Sequence, residues 1–130
     1  MMEPFTILVV DDSRGLRSTV CAVLRSAGHR VLSAATAKEA LQIIDLHAVD
    51  LVFTDILMPE MDGLALIREI RRRVPFLPIV GMSGGGYFLS QEYCLHTAKI
   101  FGATAVLAKP FDAHQLLAAL DQAIAQPSAP

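Results

Sequence analysis

Five polar side chains stand where apolar runs of this chain stop: Asp11 and Asp12, Asp55, Ser83 and Lys109. The runs before them are Phe5 to Val10, Leu51 to Phe53, Ile79 to Met82 and Thr104 to Ala108, which read as strands. Leu51, Val52 and Phe53 are apolar on both faces, the pattern of an interior strand in a parallel sheet covered by helices. In a parallel sheet all carboxyl ends share one edge, the edge where open α/β sheets bind ligands, so the five side chains can meet. Three carboxylates in one pocket repel each other and raise one another's pKa unless a cation is present. A hard divalent ion resolves this, and Mg²⁺ fits best because it is held by one or two carboxylates, waters and phosphate oxygens. Lys109 is a compact charge suited to a phosphoryl oxygen, and the Ser83 hydroxyl can donate to another. A carboxylate in that company is a nucleophile set up for phosphoryl transfer onto Asp55.

The intervening segments supply the scaffold. Ser13 caps a helix with Leu16, Val20, Leu24 and Ala27 at helical spacing, and Gly28 stops it. A short strand is predicted from His29 to Ala34. Thr36-Ala-Lys-Glu39 is a capping box opening a helix with Ala40, Leu41, Ile43 and Ile44 as its apolar stripe. Met58-Pro59 ends the extended segment after Asp55, and Asp62-Gly63 supplies a turn and N-cap. The next helix runs to about Val74 with Leu64, Ile67 and Ile70 inward. Arg71-Arg72-Arg73 in its last turn complement the helix dipole. Gly84-Gly85-Gly86 forms a loop, a fourth helix spans about Ser90 to Phe101, and Asp112-Ala-His-Gln115 opens a last helix carrying Leu116, Leu117, Leu120 and Ile124. Five strand-then-helix units in strict alternation predict a doubly wound parallel α/β sheet with right-handed crossovers and helices on both faces.

At 130 residues the chain is expected to be one domain with a core of about 5–125, a frayed tail at 126–130 and no room for a separate output domain. A hydrophobic fraction of 53% against 18% charged excludes disorder. The formal charge of −2 gives no general attraction to nucleic acid or acidic membranes. No run is long enough to insert in a bilayer, and Cys21 and Cys94 lack metal-ligand spacing and read as buried reduced thiols; a cytoplasmic location is expected. His29, His47, His96 and His114 are scattered and read as surface or helix-end residues.

The acid pair after the first strand, the Asp-x-x-Met-Pro-x-Met-Asp-Gly run from Asp55 to Gly63, Ser83 at a strand end and Lys109-Pro110-Phe111 together resemble the receiver domain of bacterial two-component response regulators, from about Thr6 to Ala125. The resemblance implies a flavodoxin-like sheet in the order 2-1-3-4-5. It implies that Asp55 accepts a phosphoryl group from a phosphohistidine on a sensor histidine kinase or histidine phosphotransfer protein. Asp12, Asp55 and the backbone carbonyl of Leu57 would ligate Mg²⁺, Asp11 would hold a metal-bound water, Ser83 and Lys109 would bind phosphoryl oxygens, and the Lys109–Pro110 bond would be cis. Such a domain is not a dedicated enzyme, although its own site catalyses self-phosphorylation and slow autodephosphorylation. It would signal through Ser83, the loop after the fourth strand and the fourth helix to a protein target in trans or to a second copy of itself.

Two features depart from the family pattern. Relatives carry an aromatic residue three positions before the lysine, and here that position is Val106; Tyr87 or Phe88 is the candidate to take over its role. The stretch Ser83 to Leu89 is also longer than the usual connection. Three other functions share parts of this pattern. A haloacid-dehalogenase-type enzyme needs an acid where Leu57 stands, and a flavodoxin needs a phosphate loop where Asp11-Asp12 would repel it. The third is a receiver-like interaction module that works without phosphorylation. In bland readings, Asp11 or Asp12 only caps a helix, Ser83 only turns the chain and Lys109 is only solvated.

Overall fold

The computed structural model describes residues 4–56, 63–84 and 91–126, except for the side chains of residues 91, 94 and 95. Strand and helix alternate through the chain: β1 Thr6–Val10, α1 Arg14–Ser26, β2 Arg30–Ala34, α2 Ala37–Leu46, β3 Leu51–Asp55, α3 Gly63–Arg73, β4 Ile79–Ser83, α4 Gln91–Phe101, β5 Ala105–Ala108 and α5 Ala113–Ala125. The strands form one parallel sheet in the order β2-β1-β3-β4-β5. Expectations for Leu57, the Met58–Asp62 turn, Gly85, Gly86, Tyr87, Phe88, the Cys94 thiol and residues 127–130 lie outside the described part.

Side-chain alternation along the strands divides the core in two. Ile7, Val9, Phe53, Val80, Met82 and Leu107 pack under α1 and α5, against Val20, Leu24, Leu116 and Leu120. Leu8, Val10, Val52 and Ile79 face the other way, onto Ala37, Leu66, Ile67, Ile70 and Ala98 of α2, α3 and α4. Every residue of β3 and β4 is buried, as the doubly apolar reading of the central strands requires. Cys21 lies in the first cluster, where burial raises its thiol pKa against the opposing pull of Arg25 and then Arg17. Among the described residues no helix is long and apolar enough to cross a membrane.

Local signals set the helix ends. Ser13 Oγ accepts the Leu16 N–H at 3.4 Å, and Asp112 and Gln115 complete a reciprocal capping box on α5. The box expected on α2 closes differently. Thr36 Oγ1 accepts the Glu39 N–H at 3.1 Å, but the Glu39 carboxylate returns to the N–H of Ala35 at 3.2 Å instead of that of Thr36. At the end of α1, Gly28 takes a φ of 98°, and the Gly28 and His29 N–H groups close onto the carbonyls of Arg25 and Leu24. Because the His29 N–H is used there, β2 begins at Arg30, one residue later than predicted. The His29 ring is not a bystander: its Nδ1 accepts the Phe5 N–H at 3.1 Å. Thr104 likewise stays outside β5, and its hydroxyl accepts the Ile79 N–H at 3.1 Å. In α3 the fully buried side chains are Leu66, Ile67 and Ile70, with Leu64 only partly covered.

The three consecutive arginines have separate fates. Arg71 folds back as a clamp, donating to the carbonyls of Gly102 (2.7 Å from Nη2), Pro75 (2.7 Å) and Leu77 (2.7 Å). It thereby joins the end of α3, the approach to β4 and the turn after α4, and partial burial lowers its pKa. Arg72 and Arg73 pair with Glu69, and Arg73 also reaches Asp45 of α2 at 2.7 Å. Hydrogen bonds from these two arginines, Arg72 foremost, pull the Glu69 carboxyl from its ordinary 4.5 to about 2.

Replacing Arg71 with Ala leaves three carbonyls without their donor and is expected to cost about 2 kcal/mol in urea unfolding; Arg72→Ala, on an exposed pair, is expected to leave the midpoint nearly unchanged. Glu69 adds a pH signature. Its folded-state pKa is depressed, so its stabilisation is present above 4.5 and lost as pH falls toward about 2. The advantage of wild type over Glu69→Gln in low-salt urea melts is expected to shrink across that window.

Candidate functional site

The sheet register carries the polar strand ends to one edge. Val10 lies beside Thr54, Asp55 beside Met82, and Ser83 beside Ala108, so Asp11, Asp55, Ser83 and Lys109 leave their strands at one level. Backbone bonds extend the ladders past the strands: Asp11 N–H to the Ala34 carbonyl (3.2 Å), Ile56 N–H to that of Met82 (2.9 Å), and Lys109 N–H to that of Ser83 (2.9 Å). Asp11, Asp55 and Ser83 are buried, whereas Asp12 is exposed. The Lys109–Pro110 peptide bond is cis.

The side chains converge. One carboxylate oxygen from each of Asp11, Asp12 and Asp55 lies within 4.8 Å of the others. Lys109 Nζ sits 3.3 Å from Asp11 Oδ2 and 3.4 Å from Asp55 Oδ2, bridging the two buried acids. The other Asp11 oxygen accepts the Ser13 N–H at 2.8 Å. The three grouped carboxylates beside the Lys109 ammonium offer hard oxygen donors, a set that suits a small divalent cation. The two adjacent acids have different lives: Asp11 is fixed at both oxygens, while Asp12 reaches solvent.

Next to the acids, the sheet presents a glycine to α4. Gly81 lies between Thr54 and Val106 in the register, and a Cβ placed on it would stand 3.3 Å from Ala98 Cβ and from Ile56 Cδ1. Val106 is half-buried and packs into the same cluster as Ala98. Helix α4 therefore rests on glycine and an aliphatic side chain at the place where an aromatic ring was expected from the resemblance and found missing. On the acceptor side, α3 begins hard against β3: an added Cβ on Gly63 would fall on the carbonyl oxygens of Asp55 and Ile56, so only glycine fits there.

Sequence reasoning placed all five polar residues at this edge and missed one contributor. Arg17 donates from Nη1 to the Asp11 carbonyl at 2.7 Å. The signal was available in principle, since side chains in a helix tilt toward its N-terminus and Arg17 lies four residues beyond the Ser13 cap.

Residues 7–121 match the family model described as response regulator receiver domain. The chain belongs to that family. This receiver is 34% identical over 128 residues to the transcriptional regulatory protein GlrR of Escherichia coli K12, an alignment covering 98% of this chain and 28% of that regulator. It is 35% identical over 132 residues to the response regulator Rre1 of Synechocystis, covering 99% of this chain and 55% of that protein. Thus the receiver spans about a quarter to a half of the length of these relatives. Among solved structures, the chemotaxis response regulator CheY4 of Vibrio cholerae superposes with a TM-score of 0.82 at 32% identity, covering 93% of this chain and 99% of that one. The receiver domain of NtrX from Brucella abortus gives 0.85 at 37% identity, with 92% and 98% covered. Strand order and flanking helices agree with the flavodoxin-like fold of these receivers.

Lys109→Met would leave the buried Asp11 and Asp55 facing each other without their shared cation. In metal-free buffer at neutral pH it is expected to destabilise the receiver by roughly 2 kcal/mol, measured by urea unfolding.

Proposed function

We propose that this receiver accepts a phosphoryl group on Asp55 in a Mg²⁺-dependent reaction. The donor would be a phosphohistidine on a sensor histidine kinase or a histidine phosphotransfer protein. The observation that carries the reading is the position of Asp55: a buried carboxylate at the end of a central strand, 3.4 Å from the Lys109 ammonium and grouped with two further acids.

In this reading an Asp55 oxygen attacks phosphorus as the bond from phosphorus to the histidine nitrogen breaks, and the electron pair leaves with the imidazole. Lys109 Nζ and the Ser83 hydroxyl take the phosphoryl oxygens, and the Lys109–Asp55 contact is exchanged for one to the new group. The donor set fits Mg²⁺, since it consists of carboxylate oxygens with negative charge in excess. Asp12, Asp55 and the Leu57 carbonyl would hold the ion, with Asp11 holding one of its waters. When bound, the ion neutralises charge that accumulates between the acids and the incoming phosphoryl group. The same site would phosphorylate itself from small phosphodonors and slowly hydrolyse the product, without being a dedicated enzyme.

The signal would leave through Ser83. A phosphoryl group on Asp55 offers new acceptors, the Ser83 hydroxyl follows one, and the loop after β4 and α4 change population. With Val106 at the floor, Tyr87 or Phe88 is the candidate for any aromatic part of this response. A protein partner in trans or a second copy of the receiver would read the altered surface. That GlrR is named a transcriptional regulator describes that longer protein; this receiver is proposed to act through proteins, not by binding nucleic acid itself.

Intact mass after incubation with acetyl phosphate and Mg²⁺ is expected to rise by one phosphoryl group. Asp55→Asn and an EDTA control should show no gain. If wild type, folded by circular dichroism, gains nothing from any donor, the phosphorylation reading fails and a phosphorylation-independent interaction module takes its place.

A further inference from the structure

The turn between β1 and α1 is held at more points than a helix cap requires. The Asp11 N–H donates to the Ala34 carbonyl at 3.2 Å, and Asp11 Oδ1 accepts the Ser13 N–H at 2.8 Å. The Asp11 carbonyl accepts Arg17 Nη1 at 2.7 Å. The peptide from Asp11 to Asp12 is therefore gripped at its oxygen by α1, and the next N–H is gripped by the Asp11 side chain. Asp12 lies between these two attachments. It is exposed, and among the described residues its carboxylate has no hydrogen-bond donor of its own. The direction in which its Cα–Cβ bond leaves the chain is set by the Asp11–Asp12 peptide, and the Arg17 bond to the Asp11 carbonyl is one of the anchors of that peptide.

We infer that Arg17 is a positioning residue for the metal ligand Asp12, acting through the Asp11–Asp12 peptide. This deepens the Mg²⁺ assignment above and rests on it. A guanidinium bound to a carbonyl at 2.7 Å holds the peptide plane against rotation, and so keeps the Asp12 carboxylate within 4.8 Å of the Asp55 and Asp11 oxygens. Arg17 also brings a permanent positive charge close to a cation site. The two effects have opposite signs: the charge disfavours Mg²⁺ by repulsion, while the fixed peptide favours it by holding a ligand in place. If charge were the larger effect, removing Arg17 would tighten Mg²⁺ binding. If orientation is larger, removing it weakens binding.

The test is a Mg²⁺ titration of wild type, Arg17→Met and Arg17→Gln, followed by amide chemical shifts and run on protein that circular dichroism shows to be folded. Thermal unfolding in EDTA is measured alongside. Both variants are expected to bind Mg²⁺ about tenfold more weakly, with only a modest fall in the EDTA midpoint. Gln keeps high helix propensity and a polar end, so it carries the test should the Met variant fail to fold. Affinity equal to or tighter than wild type in a folded variant overturns the inference, because then Arg17 supplies charge or stability but not orientation. Absence of Mg²⁺ binding in wild type is a different result and sinks the metal assignment itself.

Discussion

Repulsion among Asp11, Asp12 and Asp55 is the constraint around which this receiver is arranged. Two unit charges about 4 Å apart interact by roughly 4 kcal/mol at the effective dielectric of a protein surface, so acids this close need a reason to stay together. Part of the answer is Lys109, nearly equidistant from Asp11 and Asp55 at 3.3 and 3.4 Å. A further part is the Ser13 N–H on the second Asp11 oxygen. Both devices act on the buried acids, and among the described residues the outermost one, Asp12, is in no salt bridge. The pocket is stable enough to fold and still short of positive charge. The buried central strands hold the acids in place against that shortage.

The region through which a change at this pocket would travel is built from small parts. Ile56 follows Asp55 directly, donates its N–H to Met82, and lies with Ala98 of α4 around the bare face of Gly81. Gly81 is paired in register with Val106. An inward-turning ring has no counterpart at Val106, and α4 approaches the sheet closely enough that helix and acceptor strand share neighbours. The far end of α4 is held differently. Gly102 at φ 121° and the Ala103 N–H close the helix, and Arg71 grips the Gly102 carbonyl. One end of the helix is thus tied to α3 and the start of β4, while its middle rests on the strand leading to Ser83.

Much of this was legible because it is written locally. A β-branched run that ends in an acid, a serine or a lysine marks a strand end within a few residues, and the Ser13, Thr36 and Asp112 caps are single-residue signals. The departures came where a polar group had two available partners, one of them in places far along the chain. His29 gave its N–H to a helix cap and left the strand, Thr104 placed its hydroxyl on Ile79, and Glu39 turned to Ala35. The arginine triplet was opaque for the same reason. Three identical side chains in one helical turn carry the same local signal, and only what lies opposite each of them separates a clamp from a surface ion pair.

What the sequence by itself determined was the order of elements, the parallel sheet and the set of residues that arrive at its carboxyl edge. These follow from periodicity, caps and turns, which depend on neighbours a few positions away. What the tertiary structure decided was how those residues divide their tasks. It fixed which Asp11 oxygen meets Lys109, 98 positions along the chain, and left Asp12 at the surface. It turned Arg17 onto a backbone carbonyl and made Gly81 the floor under α4. The physical reason is that hydrogen-bond partners across a sheet edge are chosen by register and packing between distant strands, and no short stretch of sequence contains both halves of such a pair.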